Sequence, residues 1–436
     1  MKANENLKLK SFKNSVAQLL RAESLIPLGS QTFSKSRTQY PVGISPLFIE
    51  KAAGPHVWDV DGNRYIDLVN SLASITMGYG NKRINKAVKK QLKKGVSFSL
   101  PGTLESDVAE LIISLVPCAE KVRFGKNGTD ATSAAIRLSR AYTGRSIVAV
   151  CGYHGWQDWY IGSTTRNKGV PTEVSSLTKT FLYNDISSLE KIFMDYPSQV
   201  AAVILEPMNL VYPQDDFLQK VKSLSKKNGS VLVFDETITG FRFAKGGAQE
   251  LFGVIPDLAT FGKGMANGFP LSAVVGKSEI MQEMEEIFFS GTFGGELLSL
   301  AASKAVLEEI RNKDVILRLQ EIGAEIKSRV DKKIIENDLQ DILSLSGHPS
   351  WIFLNWLIND EELKSQVKTY FMQEMFQEGI LILGTHNVST SISKSEILAI
   401  ENAYAVVLGK ISKALKQGTL KEQLRVEPLK PLFRIR

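Results

Sequence analysis

Histidine and cysteine are scarce in this chain of 436 residues, which holds four of the first and two of the second. Cys118 and Cys151 lack the paired spacing of a metal knuckle, and a core of this size needs no disulfide, so neither a thiol-bound metal nor a disulfide framework is expected. No apolar run approaches the ~18 residues of a membrane span. The opening MKANENLKLKSFKNSVAQLL shows no apolar stretch followed by a small-residue cleavage site. These absences point to a reducing, cytoplasmic setting with no membrane partner. Low-complexity segments and internal repeats are missing as well. The 43% hydrophobic and 23% charged fractions are those of an ordinary globular chain. Its length exceeds the roughly 250 to 300 residues at which a single core stops growing, so one large domain and a smaller one are expected.

The formal net charge of +7 raises the question of nucleic acid. The densest basic run is NKRINKAVKKQLKKG, residues 81–95, in which Ile84, Val88 and Leu92 fall on one helical stripe and leave the lysines on the opposite face. A solvated helix face accounts for that pattern. No aromatic platform accompanies it, so no nucleic-acid partner is expected.

Residues 1 to about 30 read as an amphipathic helix followed by a polar linker, GSQTFSKSRTQYPVG. The segment HVWDVDGNRYIDLV has a hairpin pattern, with Val57 and Val60 before, and Tyr65, Ile66 and Leu68 after, a turn at Asp61-Gly62-Asn63. From about residue 82 to 310, helical stretches alternate with short apolar runs, RSIVAVCG, AAVILEPM, SVLVFDET and LSAVVGK, as expected of strands buried on both faces. That order predicts an α/β fold with a mostly parallel central sheet and ligands beyond the carboxyl ends of its strands. Residues 1–75 are assigned to an N-terminal helix and small-domain segment, 76–315 to the large domain. Residues 316–436, with the strands SWIFLNWLI and GILILG, form the C-terminal small domain.

Chemically informative groups gather after those strands. Asn127-Gly128-Thr129 opens a helix rich in small residues. Its backbone N–H groups suit a phosphate, and the same residues also make a plain turn and cap. CGYHGWQDWY puts Tyr153, His154, Trp156 and Trp159 in one loop, where aromatics can stack on a flat heterocycle or simply pack; a lone histidine is more often structural. Asp235 and Glu206 each close an apolar strand, where a carboxylate needs a cationic partner or serves as a cap. Lys263 lies in DLATFGKGMANGFP between two glycines, which admit a close ligand. It reads either as a desolvated nucleophilic amine or as an exposed loop lysine. Together these groups describe one ligand, with a phosphate, a flat ring, a basic ring nitrogen and a carbonyl that accepts an amine: pyridoxal 5'-phosphate.

The ordered pair DETITGFR and PDLATFGKGMANGFPLSAVVG resembles the class III pyridoxal-phosphate aminotransferases, and within them the glutamate-1-semialdehyde aminomutase subgroup. The likeness runs from PLFIEKAAGPHVWDVDGNRYIDLV through AASKAVLEEI. It implies a fold type I transferase in which Lys263 is the Schiff-base lysine and Asp235 the partner of the pyridinium nitrogen. Gly128 and Thr129 match the phosphate cup, with Asn127 in place of the usual serine. Tyr153 matches the aromatic covering one ring face, and Thr237 the small residue on the other. Thr292 matches a threonine that reaches the neighbouring subunit's phosphate, which implies a homodimer with shared active sites.

Two departures bear on the reaction. Glu296 and Leu297 occupy the Asn-Pro positions of the aminomutases' Gly-Thr-Leu-Ser-Gly-Asn-Pro segment, and ILILGTHNVSTSIS carries His386 where they have a glutamate. These favour an aminotransferase moving an amino group from a donor such as glutamate to a separate aldehyde or ketone, a keto sugar among the candidates. Intramolecular amino transfer is the alternative, and a catalytically silent binding protein a third reading. Arg37, Trp156 and His386 are the candidate substrate contacts.

Overall fold

The computed structural model describes residues 9–429. Two compact units divide the chain, one built from residues up to 72, 77–80 and 320 onward, the other from 73–76 and 81–319.

The larger unit is built on a seven-stranded sheet. Across it the strands run Lys121–Gly125, Ser272–Gly276, Leu258–Phe261, Val231–Asp235, Val200–Leu205, Ile147–Cys151 and Thr178–Thr180. Ser272–Gly276 is antiparallel to both its neighbours, and every other pairing is parallel. The other six strands therefore share one direction, and their carboxyl ends form one edge. Val148, Val150, Ala202, Ile204, Val231, Val233, Leu258 and Val274 are buried together with Ala131, Ala134, Ala135 and Leu138 of the helix Gly128–Thr143. Small residues on that helix let it lie close to the sheet, and Gly144 ends it at φ +66, a left-handed cap that favours glycine.

The helix expected over the basic run spans Lys82–Leu92, capped by the Asn81 side chain, which accepts from the N–H of Arg83 and Ile84. Ile84 is buried as the stripe predicts, but Leu92 is exposed. It belongs to an open apolar stretch with Phe98 and Leu100.

In the smaller unit the hairpin forms as read, His56–Asp59 against Arg64–Asp67, with Ile49–Ala53 on one side and Ile380–Leu381 joining in parallel on the other. Asp59 holds the turn: its carboxylate accepts from the N–H of Asp61 and Asn63, from the Asn63 amide and from the Tyr65 hydroxyl. Leu343–His348, Trp351–Trp356 and Thr385–Asn387 form a separate antiparallel sheet. GILILG thus contributes only a two-residue strand, and to the hairpin's sheet. The N-terminal helix is shorter than expected, Lys13–Glu23, and residues 1–8 of that expectation lie outside the described residues. The polar linker folds into 3₁₀ turns at Pro27–Gly29 and Phe33–Lys35. After the hairpin, Asn70, Ser71, Leu72 and Ala73 take φ of 46, 49, 58 and 68, a left-handed turn that L-residues adopt only at a cost.

Candidate active site

Five of the six co-directional strands end in the residues singled out for chemistry. Asn127–Thr129 begins two residues past Gly125, Tyr153 and His154 come just after Cys151, Glu206 follows Leu205, Asp235 closes its own strand, and Lys263 stands two residues past Phe261. Parallel pairing aligns their exits, and the register sets Asp235 beside Thr260 and Cys151 beside Leu205.

Asp235 is the hub. Its Oδ1 accepts from the Thr237 hydroxyl at 2.6 Å, the Thr260 hydroxyl at 3.0 Å and the Thr237 N–H at 3.1 Å, while Oδ2 meets His154 Nδ1 at 2.9 Å. The other nitrogen of that ring, Nε2, donates to the Cys151 carbonyl at 3.1 Å. Both imidazole nitrogens thus face oxygen atoms, one of a carboxylate and one of a backbone carbonyl. Burial works against ionisation of Asp235, but His154 and the Thr237 donors outweigh it and hold the carboxyl below its usual range. His154 is itself fixed among Trp159, stacked at 6.4 Å, and Tyr160, edge-on at 5.4 Å. This histidine is thus both packed among aromatic rings and bonded to the carboxylate.

Glu206 accepts from the Tyr153 N–H at 3.1 Å and the Asn209 amide at 2.9 Å. Burial, reinforced by nearby Asp235, raises its pKa. The Tyr153 ring is half exposed and lies edge-on to Tyr160 at 5.6 Å.

Lys263 is mostly buried and sits at φ +39, an unusual backbone for a side chain of this size. Burial lowers its amine pKa, the carboxylates of Asp235 and Glu206 oppose that, and Arg242 adds to it. The exposed-loop reading therefore falls away. The turn after it is held by Asn267, whose side-chain oxygen accepts from Thr76 N–H at 2.9 Å.

The Asn127–Thr129 turn reaches this cluster through Thr237. A methyl placed on Gly128 would lie 3.0 Å from Thr237 Cγ2, and one on Gly262 would lie 3.3 Å from the same atom. The N–H groups of Lys126 and Asn127 both bond Asp130 Oδ2, at 2.9 and 2.8 Å, which sets the turn. Thr129 Oγ1 accepts from the Trp156 N–H at 3.3 Å. Gly155, at φ +106, has no room for a side chain, since a Cβ would come within 2.4 Å of that same hydroxyl. Trp156 is tied to the turn through its backbone, and its indole is exposed.

Thr292 is exposed on the loop 290–296, outside the network built on Asp235. Arg37, partly exposed, forms an ion pair with Glu23 through Nε. His386 is fully buried, with Nε2 2.7 Å from the Tyr404 hydroxyl, and burial pushes its pKa down to about 3. It is a core histidine of the smaller unit. Three features were missed. Thr260 lies inside the quoted lysine motif, but its bond to Asp235 emerges only through strand register. Thr132, on the helix turn after Thr129, donates to the His154 carbonyl at 2.8 Å. Arg242, within the quoted DETITGFR, is fully buried and donates to the Ala73 carbonyl at 2.9 Å; its charge among apolar neighbours was the available signal.

The sequence profile of the family described as aminotransferase class-III matches residues 39–415. The glutamate-1-semialdehyde 2,1-aminomutase of Aquifex aeolicus (strain VF5) is 36% identical over 386 residues, which is 83% of this chain and 91% of that protein. Its counterpart from Rhodopirellula baltica is 35% identical over 390 residues, 84% and 88% of the two chains. Among solved structures, the FumI protein of Sphingopyxis sp. MTA144 in its PLP internal aldimine form superposes with a TM-score of 0.87 at 25% identity, covering 94% of this chain and 98% of that one. An omega-transaminase from Sphaerobacter thermophilus gives a TM-score of 0.83 at 26% identity, covering 91% and 97%. The chain belongs to the class III aminotransferases, pyridoxal-phosphate enzymes of fold type I.

The residues fit that cofactor. A buried carboxylate with its own imidazole partner suits a protonated ring nitrogen, a helix start opened by glycine suits a phosphate, and a desolvated amine stands beside both.

Proposed function

We propose that this enzyme moves an amino group within one small amino aldehyde, as a glutamate-1-semialdehyde 2,1-aminomutase does. The observation that carries the reading is the 36% and 35% identity to enzymes of that name over more than four fifths of the chain. The expectation of a separate carbonyl acceptor such as a keto sugar takes second place to it.

When bound, pyridoxal phosphate supplies a carbonyl for amine exchange and a ring that draws electrons from the substrate carbon. The protein's own groups do the rest. Asp235, kept ionised by His154 and the two threonine hydroxyls, holds the proton of the cofactor's ring nitrogen. Gly128 and Thr129 hold the phosphate with Asn127, at the positive end of a sixteen-residue helix. Thr237 would pack on one face of the ring and Tyr153 on the other, with Glu206 fixing the loop that carries Tyr153. Lys263 Nζ, its pKa lowered by burial, would carry protons between the nitrogen-bearing carbons of the substrate and the carbonyl carbon of the cofactor.

A homodimer is part of the proposal. Leu100, Phe98, Phe288 and Phe293 on the larger unit are exposed large apolar residues, Phe288 by 84%, and a second copy would cover them. Loop 290–296, with Thr292, would then serve the partner's phosphate site.

A second reading, transfer between a donor amino acid and a separate carbonyl compound, is favoured by Glu296. Where the aminomutase segment has asparagine, this side chain caps the helix Leu297–Asn312. The deciding experiment follows the visible spectrum of the purified holoenzyme and the products formed from an amino aldehyde alone. Isomerisation without any added donor supports the aminomutase. Bleaching of the cofactor band by glutamate, reversed by an added ketone, with no isomerisation, would replace it with the second reading.

A further inference from the structure

Glu296 does more than cap a helix. Its Oε2 lies 3.2 Å from Lys126 Nζ, and both side chains are mostly buried. Its Oε1 accepts from the Leu298 N–H at 2.6 Å and its Oε2 from the Ser299 hydroxyl at 2.6 Å, so the carboxylate is fully occupied. Lys126 is the residue immediately before the Asn127–Thr129 turn, and its own N–H is one of the two held by Asp130. The ion pair therefore joins the end of loop 290–296 to the start of the turn. That loop lies close to the sheet's rim: a Cβ on Gly294 would come 3.2 Å from the Phe124 carbonyl, and one on Gly295 would come 2.6 Å from the Glu105 carboxylate. Glycine at both positions lets the loop approach, and the Lys126–Glu296 pair fastens it there.

The geometry points to Lys126 and Glu296 as positioning residues for the cofactor's phosphate, which together set the shape of the anion-binding turn without taking part in the proton transfers. The inference rests on the proposed assignment of Asn127–Thr129 to that phosphate. Burial lowers the Lys126 pKa against the pull of Glu296. For Glu296, burial is outweighed by Ser299, Leu298 and Lys126, so the carboxyl stays ionised at neutral pH. A buried pair of this kind adds little stability relative to apolar neighbours, yet it fixes one geometry among several, and breaking one side leaves the other charge uncompensated.

The experiment compares pyridoxal phosphate with pyridoxal, which lacks the phosphate, by equilibrium fluorescence titration of the cofactor-free protein. The variants are Lys126→Met, Glu296→Asn, their combination, and Thr129→Val. Asparagine at 296 keeps a helix cap while removing the charge, so it carries the test if the lysine variant does not fold. Lys126→Met and Glu296→Asn should each weaken pyridoxal phosphate binding about tenfold and leave pyridoxal binding within about twofold. The combination should be no worse than either alone, the mark of a coupled pair. Equal losses for both ligands would reveal a merely structural role and overturn the inference, as would unchanged affinity. Thr129→Val separates the levels: if it fails to weaken pyridoxal phosphate selectively, the turn is not the phosphate site and the underlying assignment falls. If it does weaken it and the ion-pair variants do not, only the present inference is lost.

Discussion

Asparagine at position 235 separates the charge of that side chain from its size. The three donors on Oδ1 can all be kept by the amide oxygen, so the Thr237 and Thr260 contacts persist. The amide nitrogen then faces His154 Nδ1, whose ring must still donate through Nε2 to the Cys151 carbonyl. A neutral imidazole with Nδ1 as acceptor can satisfy both. One charge-assisted hydrogen bond is exchanged for a neutral one, a cost of about 1–3 kcal/mol in stability. Alanine at 235 would instead leave the Thr237 and Thr260 donors facing a void with no acceptor, at roughly 1–3 kcal/mol for each buried donor. The effect on catalysis is larger than either. Without a carboxylate to hold the ring-nitrogen proton, a preorganised charge is missing where negative charge develops, and kcat should fall about 10²- to 10³-fold. Urea unfolding of the cofactor-free protein gives the first quantity and steady-state turnover at saturating cofactor the second. An Asp235→Asn enzyme that binds the cofactor and keeps kcat within about threefold would refute the role given to this carboxylate.

Lys263→Met should raise the melting temperature of the cofactor-free protein at neutral pH, because the wild type must bury an amine that prefers to be charged. The folded pKa of Lys263 is depressed, so the stability linked to it is complete above the unfolded value of 10.5 and lost as pH falls through the folded one; the mutant's advantage should shrink as pH rises toward that limit. A constant advantage at every pH would argue against a desolvated amine. His386→Phe offers a similar check in acid. With a folded pKa of about 3 against 6.5, the wild type should lose as much as ~5 kcal/mol between those limits as pH falls, and the variant should lack that limb of the melting curve. Turnover should survive the substitution, since the side chain lies in a core; loss of activity at unchanged stability would support the substrate-contact reading.

The hairpin at 56–67, the buried strands and the polar residues at the strand ends were legible because each is a local pattern. Period-two alternation, short apolar runs and a polar residue at a run's end do not depend on distant contacts. Lys121–Gly125 and Thr178–Thr180 were harder to see: the first alternates weakly and the second is a three-residue edge strand of Thr-Lys-Thr. Leu92 shows the limit of periodicity, since a stripe predicts burial only if something in the same chain covers it. His386 shows the limit of motif alignment. Its place in a segment that departs from the relatives drew attention, but its hydrogen-bond partner, Tyr404, lies 18 residues away in a helix.

The sequence by itself determined that this is an α/β pyridoxal-phosphate enzyme, because the lysine flanked by glycines and the strand-ending aspartate are chemically distinctive and occur in a specific order. Only the tertiary structure decided how Asp235 is kept charged. His154 lies 81 positions away and Thr260 is reached through sheet register, so neither partnership exists until the strands align. The same holds for the Lys126–Glu296 pair, which joins residues 170 positions apart through the packing of a glycine-bearing loop against the sheet's rim. Local chemistry names the groups; a hydrogen bond or ion pair between them needs ångström-scale proximity, and that arises only when the sheet assembles.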